Sequence, residues 1–245
     1  MTLTLVTPPT VEPLAPSEVR ARLNLGDEVT SDVIYRWVQS ERQKLDGPNG
    51  QLGRCLITQV WDWQVDCFPN WGWGGSLPNL GWVGSPGEVP KWSQYWPAWR
   101  SWSFVVPLPP TQAIVSVSYV DADGVTQTVD PSQYRLIGRD PAHLLPVIGT
   151  SWPSAASYPG EGGVTIRFRA GYGDEAKDVP FDIRAAMVER INYHRSLTER
   201  NLFIGAEDVP GVGRIDYRVG SGAGTNVSGS SEDCLSRYRV GGGIS

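Results

Sequence analysis

The rhythm of apolar and polar residues changes repeatedly along this chain, and each change predicts an element. Residues 1–15 alternate threonine with apolar residues and then turn proline-rich, which predicts an extended arm. Pro16-Ser17-Glu18 opens a short helix, with Ser17 as a candidate cap and Val19 and Leu23 on one face. After a loop at Asn24–Val29, Thr30 or Ser31 caps a second helix that runs to about Leu45. Its apolar residues Ile34, Trp37, Val38 and Leu45 keep helical spacing, which turns Glu41 and Arg42 outward. Gly47-Pro48-Asn49-Gly50 stops it.

The period then falls to two. In CLITQVWDWQVDCF (55–68), Leu56, Thr58, Val60, Asp62 and Gln64 oppose Ile57, Gln59, Trp61, Trp63 and Val65, as on a strand with two unlike faces. Ser103–Pro107 reads as a returning strand, and Pro109-Pro110 as a breaker. IVSVSYVDADGVTQTVD (114–130) carries a hairpin signal, with Asp123-Gly124 suited to a tight primed turn. Tyr134–Ile137, His143–Leu145 and Val164–Ala170 are further strands, and Gly171–Asp174 is a turn.

Helical spacing returns after Val179-Pro180. Ile183, Ala186, Met187, Ile191, His194 and Leu197 share one face of a helix ending near Asn201, with Arg184, Glu189, Arg195 and Glu199 off it. The stretch 220–231, GSGAGTNVSGSS, has the composition of a flexible linker, and CLSRYRV (234–240) that of an apolar, basic docking tail. The predicted fold class is α+β. A small helical bundle is formed by two N-terminal helices and one long C-terminal helix. It carries an inserted antiparallel β-domain and an extended C-terminal tail. The expected segments are 1–50 for the arm and first helices, 51–178 for the β-domain, 179–203 for the long helix and 204–245 for linker and tail.

Composition narrows the function more than it defines it. The 245 residues are 40% hydrophobic and 19% charged, with a net charge of −5. No basic block appears, so gripping duplex DNA is not the expected activity. The three cysteines, Cys55, Cys67 and Cys234, are widely spaced and odd in number, which argues against a disulfide framework. No basic segment followed by an apolar run opens the chain, so no signal peptide is expected, and no run is long enough to span a membrane.

Candidate chemistry is sparse. His143 and His194 are the two histidines, so a zinc site or a Ser-His-Asp triad would have to use one of them. His194 lies on an apolar helical stripe and reads as a packed or interface residue. His143 has Asp140 nearby but no partner at ligand spacing. Asp121-x-Asp123-Gly124 lacks the remaining ligands of a calcium loop. GSGAG (220–224) neither follows a buried strand nor carries GK[ST], so it is no phosphate loop. No catalytic, cofactor-binding or metal site is expected.

The least ordinary stretch is 70–102. It holds seven of the eleven tryptophans, Trp71, Trp73, Trp82, Trp92, Trp96, Trp99 and Trp102, in a Gly/Pro-rich frame with no periodicity. Only Lys91 and Arg100 accompany them, too few for a single-strand-binding platform. Self-packing or contact with a neighbouring subunit is the favoured reading, because each tryptophan buries a large area at modest entropic cost. A sugar-binding platform is the alternative.

Taken in order, LTLVTPP (3–9), APSEVRARLNL (15–25), RCLITQVWDWQVDCFP (54–69), LPPTQAIVSVSYVDADGVTQTVDPSQYRL (108–136), SWP (151–153), VTIRFRAGYGDEAKDVPFDIRAAMVERINYHR (164–195) and CLSRYRV (234–240) form a recognisable pattern. The chain resembles the head–tail connector, or adaptor and head-completion, proteins of tailed bacteriophages and gene-transfer agents. The resemblance implies a structural subunit and no enzyme. Such subunits form a ring, typically of twelve copies, under the portal. The ring extends the DNA channel, with DNA only passing through, and links the head to the tail or to the next neck or tail-terminator protein. It implies a place at the head–tail junction of the virion, reached from the host cytoplasm. It also implies that the tail docks on the portal, through Leu235, Tyr238 and Val240 in a groove and Arg237 and Arg239 on carboxylates. The tryptophan-rich window 69–102 departs from the family pattern, where the link is short. It is expected to touch an adjacent subunit, a neck protein or the capsid protein.

Overall fold

Seven residues, Gln59–Val65 (β2), set the frame of the first compact unit, because their alternate side chains are buried: Gln59, Trp61, Trp63 and Val65. A computed structural model describes residues 2–69, 103–155, 163–199, 206–209, 213–216 and 233–240. Val164–Ala170 (β8) pairs antiparallel with β2, placing Trp61 opposite Phe168 and Trp63 opposite Ile166. Thr111–Val120 (β4) extends the same layer on the other side of β8, with Ile114 beside Phe168 and Val117 beside Ile166. Cross-strand pairs of this kind are the unit of sheet stability. On the opposite face, Arg167 grips Asp62 with two parallel hydrogen bonds of 2.7 and 2.8 Å.

The N-terminal arm is the strand Thr2–Thr7 (β1), paired with β2 so that Leu3 meets Trp63 and Leu5 meets Trp61. With Thr126–Thr128 (β5) at the far edge, the order is β1-β2-β8-β4-β5. A second antiparallel sheet has the order Phe104–Val106 (β3), Ala142–Pro146 (β7), Tyr134–Ile137 (β6). An aromatic cluster fills this unit. Phe68 stacks on Trp152 at 5.0 Å, and Phe104 meets Trp63 edge-on at 5.5 Å.

The β4–β5 turn differs from the primed turn that Asp123-Gly124 suggests. Of that pair, Gly124 alone has positive φ (+78°). The Asp121 carboxylate organises the loop instead, accepting from the amides of Asp123 and Val125 and from the Gln127 side chain at 2.9–3.0 Å. The Gln127 contact, followed by the Val125 amide, holds this carboxyl below its ordinary value. This is a longer loop closed by a glycine in the left-handed region.

The second unit is helical. Pro16–Leu23 (α1), Ser31–Leu45 (α2) and Phe181–Glu199 (α3) pack pairwise around Ile34, Val38, Leu45, Ile183, Met187 and Ile191. Ser17 is not the cap of α1. Ala15 stands at that position, without a side-chain cap bond, and Pro16 takes the first helical place, where its missing N–H costs nothing. Asn24, with φ 48°, ends α1 in the left-handed region. At α2 Thr30 occupies the cap position, again without a side-chain cap bond.

Three other readings change. Residues 55–58 are not strand: β2 begins at Gln59, and Cys55, Leu56 and Ile57 are buried in succession. That run is anchored by Thr58 N–H to Gly173 and Tyr172 N–H to Leu56, and its side chains feed the helical core. Glu41 points inward, only 2% exposed. It lies between Val38 and Leu45 on the buried stripe, and three cationic or basic groups make that position tenable. Within 204–245, Ala206–Val209 (β9) and Gly213–Asp216 (β10) form an antiparallel pair instead of linker. Two short runs separated by Pro210-Gly211 carried that signal in the sequence.

The fold is α+β, with two compact units drawn from interleaved segments. Residues 1–7 and 59–170 make the β unit; residues 8–58 and 171–245 make the helical unit. The sequence pattern alone groups 1–50 together and 51–178 together. Long-range pairing instead joins residues 2–7 to the strands, and 51–58 and 171–178 to the helices.

Candidate functional site

The docking candidates in the terminal segment lie against the helical unit of their own chain. One helical turn at 233–236 presents Leu235, which is 1% exposed and belongs to the core with Leu52, Leu56 and Ile183. The chain then bends. Tyr238 N–H returns to the Leu235 carbonyl at 3.0 Å, and Val240 N–H donates to the Leu52 carbonyl at 3.0 Å. Arg237, Arg239 and Val240 are exposed, while Tyr238 is half-buried.

The receiving surface starts from the end of α2. Gly47-Pro48-Asn49-Gly50 folds into a knuckle in which Gln51 and Leu52 donate back to Lys44 and Leu45 at 2.8 and 3.2 Å. This knuckle sinks the Leu52 side chain into the core and turns its carbonyl toward Val240. Asp46 fixes the next segment by accepting from the Leu56 amide at 2.9 Å. Arg54 is thereby held in place, 4% exposed. Its Nε donates to the Tyr238 carbonyl, and its Nη1 donates to the Tyr172 hydroxyl at 2.8 Å. The guanidinium lies 5.9 Å from the Tyr172 ring centre and 5.8 Å from that of Tyr238, so one cation lies over two aromatic faces. Asp182, in the first turn of α3, accepts from the Tyr238 hydroxyl at 3.4 Å. Burial first, and then the Asp182 carboxylate, raise that phenol above its ordinary value.

A charged cluster occupies the contact of α2 with α3. Buried Glu41 pairs with Lys44, with Arg190 at 3.0 Å and with His194 at 3.4 Å; Lys44 also approaches His194 at 3.2 Å. The His194 side chain is 51% exposed, so it caps this cluster at the surface and is not packed into the apolar stripe. His143 on β7 is buried beside Ser103, whose hydroxyl lies 3.4 Å from Nδ1. Among the described residues, no group of three or more His, Cys, Asp or Glu side chains could hold a metal ion. Among those residues, too, no helix is long and apolar enough to cross a membrane. Trp71, Trp73, Trp82, Trp92, Trp96, Trp99 and Trp102 lie outside the described residues, as does the sugar-binding alternative built on them.

The arrangement is a recognition geometry. Main-chain hydrogen bonds hold a short segment, with its leucine in the core and its tyrosine packed against that core. Sequence reasoning singled out the terminal segment but missed Arg54, Tyr172 and Asp182, against which it lies. A single arginine before a buried run and a tyrosine in a glycine turn were the available signals.

No protein-family model matches the chain, and no curated protein matches it. Solved structures do. The fold is that of chains from gene-transfer-agent particles. A chain from the virion of a native gene transfer agent matches with a TM-score of 0.58 at 19% identity, over 99% of both chains. A chain from the neck of the empty particle, computed with C6 symmetry, matches at 0.56 and 20% identity, over 99% of this chain and 100% of that one. A chain from the neck of the native particle, computed with C12 symmetry, matches at 0.52 and 18%, again over 99% and 100%. These neighbours are structural components of particles.

Proposed function

We propose that this chain is a non-enzymatic head–tail connector of a tailed-phage or gene-transfer-agent type particle. Twelve copies form a ring beneath the portal, extend the DNA channel, and present a platform to the tail-side neck or tail-terminator protein. The carrying observation is the end-to-end likeness, over 99% of this chain, to chains of particle necks solved with C6 and C12 symmetry. The C-terminal segment docks on the portal, with Arg237 and Arg239 outward and able to meet carboxylates. The tryptophan-rich window presses on an adjacent subunit, a neck protein or the capsid protein. The chain works in the virion neck and is assembled there from the host cytoplasm.

The test is a particle assembled without this chain. The connector reading predicts DNA-filled heads and separate tails, with joining restored by the wild-type chain. The Arg237→Glu variant should fold normally, since this residue is exposed, yet restore joining at least tenfold less well. Infectious tailed particles formed in normal yield without the chain would overturn the reading.

A further inference from the structure

A tail that serves as a docking arm has to be available, and in this structure it is not. Leu235 is as buried as the central core residues, and Tyr238 is clamped between Arg54 and Asp182. The clamp reads backbone as much as side chain. Arg54 Nε takes the carbonyl of Tyr238, and the Leu52 carbonyl takes the amide of Val240. Arg237 and Arg239 are meanwhile exposed. One fully buried side chain, one half-buried ring and a few hydrogen bonds make a contact on the scale of reversible peptide recognition.

We propose that Leu52, Arg54, Tyr172 and Asp182 form a peptide-binding groove whose ligand is this chain's own Leu235-x-x-Tyr238-x-Val240 segment, and that this occupancy keeps the tail from other partners until it is displaced. The consequence for assembly rests on the connector reading: the portal must compete the tail out of the groove. Joining then uncovers Leu52, Arg54 and the Leu235 pocket on the same subunit. The groove itself does not depend on that reading.

The test uses the full chain with a protease site placed within 220–231, cut after folding. The probe is a labelled synthetic peptide of residues 232–245 with Cys234→Ser. The proposal predicts that the cut fragment stays with the body through gel filtration. It predicts that the probe exchanges into the cut chain and binds the uncut chain at least tenfold more weakly, because a tethered segment competes at high effective concentration. Probes carrying Leu235→Asp or Tyr238→Ala should lose at least tenfold in binding to the cut chain. These probe variants leave the folding of the body untouched. Release of the fragment on cutting, equal binding of the probe to cut and uncut chains, or equal binding of the variant probes would overturn the proposal. Because no portal is present, this failure is distinct from failure of the connector reading, which shows only in head joining.

Discussion

At the scale of single residues, the chain places its charges where burial makes them matter. Glu41 is the clearest case, since Lys44, Arg190 and His194 converge on one buried carboxylate. Replacing Glu41 with alanine strips Arg190 of that partner. Hydrogen bonds to charged groups contribute about 1.5–3 kcal/mol, so Glu41→Ala should lower unfolding stability by roughly that amount, read from the urea midpoint. Tyr238 makes a pH prediction. Its docked phenol titrates above the ordinary 10.0, so the neutral form is favoured when the tail is seated. A raised folded-state value means the contribution is complete below pH 10 and is lost as pH rises through the docked value. Amide exchange at Leu235–Val240 should therefore accelerate more above pH 10 than intrinsic chemistry requires, and Tyr238→Phe should remove the excess. The Asp62–Arg167 pair is different. Its side chains are 19% and 43% exposed, and Asp62→Asn should cost under about 1 kcal/mol despite the paired geometry.

At the scale of elements, two glycines test how the turns were built. Gly124 has φ +78° with nothing within 4 Å of an added Cβ, so alanine there meets backbone strain alone. Gly171 has φ +135°, and an added Cβ would lie 2.6 Å from the Ile57 carbonyl and the Thr58 amide. Gly124→Ala should cost about 1 kcal/mol, and Gly171→Ala at least about 2 kcal/mol, because strain and backbone collision add at the second site. Thermal melts of the two variants side by side give the comparison. Element by element, the strands were legible where one face is buried: β2 and β8 follow their period-two patterns. Cys55–Ile57 misled because its alternation continues that of β2, while its burial comes from contacts with Tyr172 and Gly173 far along the chain. Glu41 misled for a related reason. The sequence reading turned it outward with Arg42, as a charged residue beside an apolar stripe, and the Arg190 that compensates its burial lies 149 residues away. The terminal segment stood out in composition as apolar and basic. Its groove did not, since Arg54 and the Tyr238 carbonyl are 184 residues apart in sequence.

At the scale of the whole molecule, two compact units are drawn from interleaved segments. The chain passes between a β unit with an aromatic core and a helical unit with an aliphatic one three times, at Thr7–Pro8, Thr58–Gln59 and Ala170–Gly171. Particle-neck chains share the fold at 18–20% identity, where little sequence is held in common. The proposed connector role adds a demand of its own, because a ring holds each subunit against its neighbours in fixed places. The central claim is therefore positional. Its most direct measurement is an image reconstruction of the neck of intact particles that contain this chain. The connector account predicts this chain traced as a ring of twelve directly beneath the portal, with residues 233–240 against a portal subunit. Particles whose neck lacks the chain, or in which it forms no ring at the portal, would contradict it.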